Sequence, residues 1–362
     1  MKISIIITFY KNLNILYQCL FHLKNHLPTY TDFEIILVND NPSFRLSNNT
    51  EIKILLPKIK IIDNNCNLGY AGACNKAVEK ANGQLIVLMD SDIMVTDSWI
   101  ENMYSLLQNH EDAGGISPVI LNMEDNSILH YGFATNKIDM VKPYFCRPVT
   151  ELPQELFTKN LEFPTLTSGC CMFRKSLYIK INGMNESLYN GYCDTDMFYK
   201  FHEAGFKNYL NAQTRVYHRG CVSGEVRTVM KADTKALFCS QWGTKYSCEG
   251  LAIIQNMYEN QIKPSKKCYL LFNFSASLFS KDYIELLQKI LQIEQVYQCA
   301  AHQKGTLILE DHISLSLQHS AFSLLYFCDD YRDLAKNYFW FNSRKNMGDL
   351  IVDRNGNVIT CC

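Results

Sequence analysis

The chain opens with four short, β-branched, nearly continuous apolar stretches at 3–8 (ISIIIT), 33–39 (FEIILVN), 59–63 (IKIID) and 84–89 (QLIVLM), most of them separated by helix-length segments. This alternation constrains the fold more than any other feature. Strands that are apolar on both faces need cover on both faces, and right-handed helical crossovers in a parallel sheet supply it. Residues 14–26 carry Ile15, Leu16, Leu20 and Leu23 at helical spacing, and 72–81 is small, alanine-rich and stops near Gly83. The expected class is therefore α/β and Rossmann-like, with a mainly parallel central sheet flanked by helices. Such a sheet binds ligands beyond the carboxyl ends of its strands. Those ends read Thr8, Asn39-Asp40-Asn41, Asp63-Asn64-Asn65 and Asp90-Ser91-Asp92. Any one of them is ordinary turn chemistry, but together they predict one polar crevice.

Residues 99–109 predict another helix, and irregular chain containing Pro143, Pro148 and Pro153 is expected from there through Pro164. Segments 167–173, 194–204 and 206–217 complete the same domain. Near Ile262 the character changes. A strand-like 268–274, an amphipathic 283–297 with Ile284, Leu287, Ile290, Leu291 and Ile293, and an aromatic-rich 326–341 follow. We therefore expect a main domain over 1–261 and a smaller accessory region over 262–362, α/β or mostly helical. Packing of Leu287, Leu291 and Gln295-Val296 on the main domain is the preferred reading of its apolar face. Binding of acceptor, membrane or another subunit is the alternative, and Tyr338-Phe339-Trp340-Phe341 suits an interface as well as a core.

With 35 basic and 36 acidic side chains, the formal charge of -1 gives no general affinity for polyanions, so nucleic acid is not an expected partner. Fifteen cysteines in 362 residues without a C-x-x-C point to reduced, mostly buried thiols in a cytoplasmic protein, not to a disulfide scaffold or structural zinc. Residues 1–10 read as a strand and not a signal peptide, and no stretch of ~18 apolar residues runs uncharged. Peripheral contact at the inner face of a membrane stays open, as does lipid on Cys361-Cys362, which lacks the four-residue prenylation pattern.

Asp90-Ser91-Asp92 follows a buried strand, which delivers two hard carboxylate donors suited to Mg²⁺ or Mn²⁺. The loop Asn67-Leu68-Gly69-Tyr70-Ala71-Gly72-Ala73-Cys74-Asn75 enters a helix whose free amides favour phosphate, unless its glycines serve only close packing. It lacks G-x-G-x-x-G and the Walker lysine. Asp194 and Asp196 precede a helical pattern and suit either capping or general base chemistry. His218, closing a strand, is either a structural group or a third cation ligand.

In order and spacing these pieces resemble glycosyltransferase family 2, the inverting enzymes of the GT-A fold. The matching residues are Ile5-Ile6-Ile7-Thr8-Phe9-Tyr10, Val38-Asn39-Asp40, the loop 67–75, Asp90-Ser91-Asp92, Ser168-Gly169-Cys170, Asp194-Thr195-Asp196, His218-Arg219-Gly220 and Trp242-Gly243, over roughly 2–245. The resemblance implies that Thr8, Phe9 and Tyr10 pack on the nucleotide and that Asp40 pairs with its base. It also implies that the loop around Asn67, Gly69 and Asn75 contacts ribose and diphosphate, and that Asp90, Asp92 and His218 hold the cation. Ser91, Ser168 and Gly169 would line the donor sugar and acceptor side, with Asp194 as base and Asp196 kept in play. Asn39 departs from the family's frequent aspartate, Cys193 from its glutamate, and Cys74 from its basic residue, which leaves Lys76 or Arg219 to face the diphosphate. The implied reaction moves a sugar from a nucleotide-diphosphate donor, with a divalent cation, to a saccharide, lipid-linked or protein acceptor, with surface polysaccharide synthesis favoured. Nucleotidyl transfer fits less well because 8–14 has no glycine and only Lys11. A decayed binding module fits less well because the acids and His218 are all present.

Overall fold

The computed structural model describes residues 2–27, 32–124, 126, 128–132, 160–219, 231–242, 268–273, 285, 289, 295–299, 323–327, 350–352 and 358–360. The chain forms two compact units, Met1–Phe133 with Lys159–Lys245, and Ala134–Thr158 with Tyr246–Cys362.

In the first unit, β1 (Ile3–Phe9) lies between β2 (Phe33–Asn39) and β4 (Leu85–Asp90), and β3 (Lys60–Asp63) flanks β2, all four parallel. Period-2 alternation turns Ile3, Ile5, Ile7 and Phe9 to one face. There they pack with Leu16, Cys19, Leu20 and Leu23 of α1 (Leu13–Asn25) and with Trp99, Ile100, Met103, Leu106 and Leu107 of α4 (Trp99–Asn109). Full burial of each such side chain contributes about 1.5–3 kcal/mol, so the periodicity legible in the sequence is the main source of this core. Helices α2 (Thr50–Leu55) and α3 (Gly69–Lys80) complete the first crossovers.

Beyond β4 the sheet reverses. β9 (Cys170–Arg174) runs antiparallel to both β4 and β6 (Ala113–Asn122), and β10 (Lys207–His218) returns parallel to β6. Short β5 (Ile93–Met94) and β8 (Leu161–Phe163) pair antiparallel with β10, and β7 (Ile128–His130) with β6. Helices α5 (Lys175–Lys180), α6 (Cys193–Glu203) and α7 (Lys231–Trp242) accompany this half.

One sequence expectation is overturned here. Residues 113–122, read as the start of irregular chain, form the ten-residue strand β6 inside the sheet. Gly114, Gly115 and Pro118 hide it, because each weakens a strand locally. The structure uses all three: a Cβ on Gly115 would collide with the Phe198 ring and one on Gly114 would lie 3.0 Å from Phe201, so α6 packs hard onto bare backbone. Pro118 sits where the pairing skips from Asn211 to Arg215, a bulge that tolerates its missing N–H. The prolines 143, 148 and 153 lie outside the described residues.

The second unit holds a five-stranded sheet in the order β12 (Gln295–Cys299), β11 (Cys268–Asn273), β13 (Ser323–Phe327), β14 (Leu350–Val352), β15 (Val358–Thr360). It is parallel except for β15. Gln295 to Tyr297, read as the end of an amphipathic segment, begin β12, while Glu285 and Lys289 are helical. Tyr338 to Phe341, Cys361 and Cys362 lie outside the described residues. Among the described residues no helix is long and apolar enough to cross a membrane.

Candidate active site

Buried strand β4 carries Asp90 at its end, level with Thr8 of β1. Two residues later β5 pairs with the last residues of β10, setting Ile93 opposite His218, and Arg219 N donates to Asp92 O at 3.2 Å. This pairing brings a distant histidine to the acids. His218 Nε2 lies 3.1 Å from Asp92 Oδ1, and one ligand atom from each of Asp90, Asp92 and His218 falls within 4.8 Å of the others. All three are half-buried. Two carboxylate oxygens and one imidazole nitrogen fit a Mn²⁺- or Mg²⁺-type ion, which still draws ligands from water or phosphate. Ser91, also half-buried, lies between the two acids. The His130 ring, which no sequence pattern marks, stands 6.4 Å from that of His218.

The reversal at β9 sets 168–169 against the same strand end. Gly169 O accepts from Asp90 N at 2.9 Å, and a Cβ on Gly169 would lie 3.2 Å from Asp90 Oδ2. Ser168 is buried, and its carbonyl accepts from the Tyr70 hydroxyl at 2.9 Å.

At the end of β2, Asp40 is 5% exposed and accepts from Asn64 Nδ2 at 2.8 Å and Leu68 N at 2.9 Å. Burial raises its pKa above the usual carboxylate range, against those two donors. Lys76 donates to Asn64 Oδ1 at 2.6 Å, and Arg219 bonds Gln18. Asn39 and Asp63 hold the following loop: Asp63 accepts from Asn39 Nδ2, Leu46 N and Ser47 N. Burial opposes its charge, yet these donors keep its pKa low. Phe9 is a core side chain, 1% exposed and edge-on to Phe44 at 6.1 Å, while Thr8 and Tyr10 are half-buried.

The glycine loop behaves differently from the expectation of free helix-start amides. Leu68 N donates to Asp40, Gly69 N to Asn67 Oδ1 at 2.9 Å, Tyr70 N to Asn190 Oδ1 at 2.7 Å and Ala71 N to Tyr189 O at 3.1 Å. Protein groups thus satisfy the donors that would cradle phosphate. Gly69, at φ +73°, admits no side chain, since a Cβ there would lie 2.5–2.8 Å from the Tyr189 ring. Asn75 bonds Met184, Glu186 and Tyr178 with its amide, so this helix clasps the segment 184–190. Tyr189 has φ 50° and ψ -89°, a conformation costing an aromatic residue about 1–3 kcal/mol. Sequence reasoning missed Tyr189 and Asn190, because only their partner Gly69 carries a local signal.

The two acids of α6 separate. Asp194 is half-buried and accepts from Thr195 N at 2.9 Å. Burial, then Cys170, Asp194 and Asp90, push the Cys171 thiol well up. Asp196 is 0% exposed, pairs with Lys200 Nζ at 2.6 Å, and accepts from Gln241 Nε2 at 3.1 Å and Trp242 Nε1 at 3.0 Å. Its carboxylate anchors α7 to α6. Cys193, buried beside them, keeps its proton through desolvation, as do Cys74 and Cys171, which suits packing groups.

Residues 4–181 match the model of glycosyl transferase family 2. The O-antigen biosynthesis protein RfbC of Myxococcus xanthus is 24% identical over 215 residues, 56% of this chain and 16% of that protein. The UDP-Glc:alpha-D-GlcNAc-diphosphoundecaprenol beta-1,3-glucosyltransferase WfgD of Escherichia coli is 33% identical over 116 residues, 30% of this chain and 43% of that protein. Matches to the first three curated relatives cover 16%, 26% and 25% of those proteins' lengths. The fold is that of GalNAc-T7 solved with UDP, GalNAc and Mn²⁺, with a TM-score of 0.55 and 15% identity over 81% of this chain and 55% of that one.

Proposed function

Starting from a chain that belongs to glycosyltransferase family 2 through residues 4–181 and has the GT-A fold, we propose that it moves a sugar from a nucleoside-diphosphate donor to an acceptor hydroxyl with inversion. The observation that carries this reading is the convergence of Asp90, Asp92 and His218 at the ends of β4 and β10. We assign the chemistry to residues 1–261 and an accessory role to 262–362.

Asp90, Asp92 and His218 would hold a divalent cation, which when bound supplies Lewis-acid stabilisation to the departing diphosphate. Asp194 takes the proton of the acceptor hydroxyl as the new bond forms on the face opposite the departing diphosphate, which gives inversion. Asp40 accepts from an N–H of the donor's base, and its burial makes that bond selective because an unmet partner there stays desolvated. Asp196 keeps α6 in register so that Asp194 faces the crevice. The names of RfbC and WfgD support a saccharide acceptor in surface polysaccharide synthesis, free or on a lipid carrier.

The test is incubation with UDP- and GDP-sugars and Mn²⁺, followed by nucleoside diphosphate release and the product's anomeric configuration by NMR. Release that stops on chelation, with an inverted product, is expected. Retained configuration, or undiminished turnover after exhaustive chelation, would sink the proposal.

A further inference from the structure

Three observations meet at Tyr189, a residue no motif marked. Its ring lies so close over Gly69 that no side chain fits there. Its strained backbone is held by Ala71 N on its carbonyl at 3.1 Å, by its own N–H on Glu186 O at 3.0 Å, and by Asn190 Oδ1 accepting from Tyr70 N at 2.7 Å. The neighbouring Leu68 N is bonded to Asp40, so the ring stands over the residue next to one that Asp40 holds. A bulky residue keeps such a conformation only where its surroundings over-determine it, and such places cluster at ligand clamps.

We infer that Tyr189 is a nucleoside-binding residue of the donor site, its ring closing over the nucleoside end of the donor opposite Tyr10, with Asp40 at the base edge between them. The inference rests on the proposed transferase reading and extends it to a segment, 184–190, outside the motifs of the first strands. Burial, then Asp40, Tyr10 and Cys66, raise the Tyr189 hydroxyl's pKa, which agrees with a phenol among the groups of this pocket. The hydroxyl stays protonated and can donate. Base-on-aromatic stacking tolerates either ring size, so this contact adds affinity for the nucleoside while Asp40 reads its edge.

The test compares wild type, Tyr189→Ala, Tyr189→Leu and Tyr189→Phe by calorimetric titration with UDP, GDP and pyrophosphate, each with Mn²⁺. Tyr189→Ala should weaken the preferred nucleotide roughly tenfold or more and leave pyrophosphate binding unchanged; Tyr189→Phe should retain most of the affinity. Tyr189→Leu, which keeps apolar bulk over Gly69, repeats the comparison if the alanine variant does not fold. Unchanged nucleotide affinity in the folded variant overturns the inference, as does a parallel loss of nucleotide and pyrophosphate, which marks a structural residue. Failure of the wild type to bind any of the three ligands instead overturns the transferase reading on which it stands.

Discussion

Changing Asp196 and Asp194 separately to asparagine tests the division of labour on α6. Asp196 is fully buried, and its ion pair with Lys200 at 2.6 Å is lost in Asp196→Asn, while the new amide oxygen can still accept from Trp242 Nε1. Breaking a buried pair from one side costs about 3–5 kcal/mol. Lys200 keeps 22% of its side chain exposed, so its ammonium can turn to water and the cost falls near the lower end, about 3 kcal/mol. With a urea dependence of about 3 kcal/mol per molar, the unfolding midpoint of the first unit should drop by about 1 M, followed by tryptophan fluorescence. Asp194→Asn retains an acceptor for Thr195 N and should leave the midpoint within about 0.5 kcal/mol of wild type. Its sugar transfer should instead fall by ~10²–10⁴ through loss of the base. An unchanged midpoint in Asp196→Asn, or near-normal turnover in Asp194→Asn, would refute the assignment of anchor and base.

His218→Ala should weaken Mn²⁺ binding by at least the roughly 10–100-fold that loss of an outer partner costs; unchanged affinity by electron paramagnetic titration would remove the cation from this cluster. Glu34, buried and bonded by Lys60, Ser4 and Asn82, is held at a pKa of about 2 against its burial. Its charge therefore contributes stability above its ordinary value of 4.5, lost as pH falls towards 2. The stability gap between wild type and Glu34→Gln should be at most about 3 kcal/mol at pH 7 and narrow steadily below pH 4.5; a gap independent of pH in urea titrations would contradict this. Gly115→Ala drives a methyl into the fully buried Phe198 and should cost about 1–3 kcal/mol, and an unaltered melting profile would show that α6 yields at no cost.

Residue order alone makes the local, repetitive features legible: apolar runs of strand length, helical spacing between them, and polar residues at the strand ends. These follow from side-chain burial along one element, so 3–8, 33–39, 59–63 and 84–89 lie within a residue of the observed parallel strands. The order of short motifs likewise groups Asp90, Asp92 and His218, and the pairing of β5 with β10 brings them into one cluster. Other features depend on partners brought in from remote parts of the chain. Asp194 and Asp196 are the same residue type two positions apart, yet Asp194 stays half-buried while Asp196 is fully buried and bonded to Trp242. The glycine loop has a helix-start pattern, yet Asp40, Tyr189 and Asn190 fill its amides from three other places in the fold. Residues 113–122 look like loop because Gly114, Gly115 and Pro118 weaken a strand in isolation, and they form one because Phe198, Phe201 and a bulge in β10 meet them.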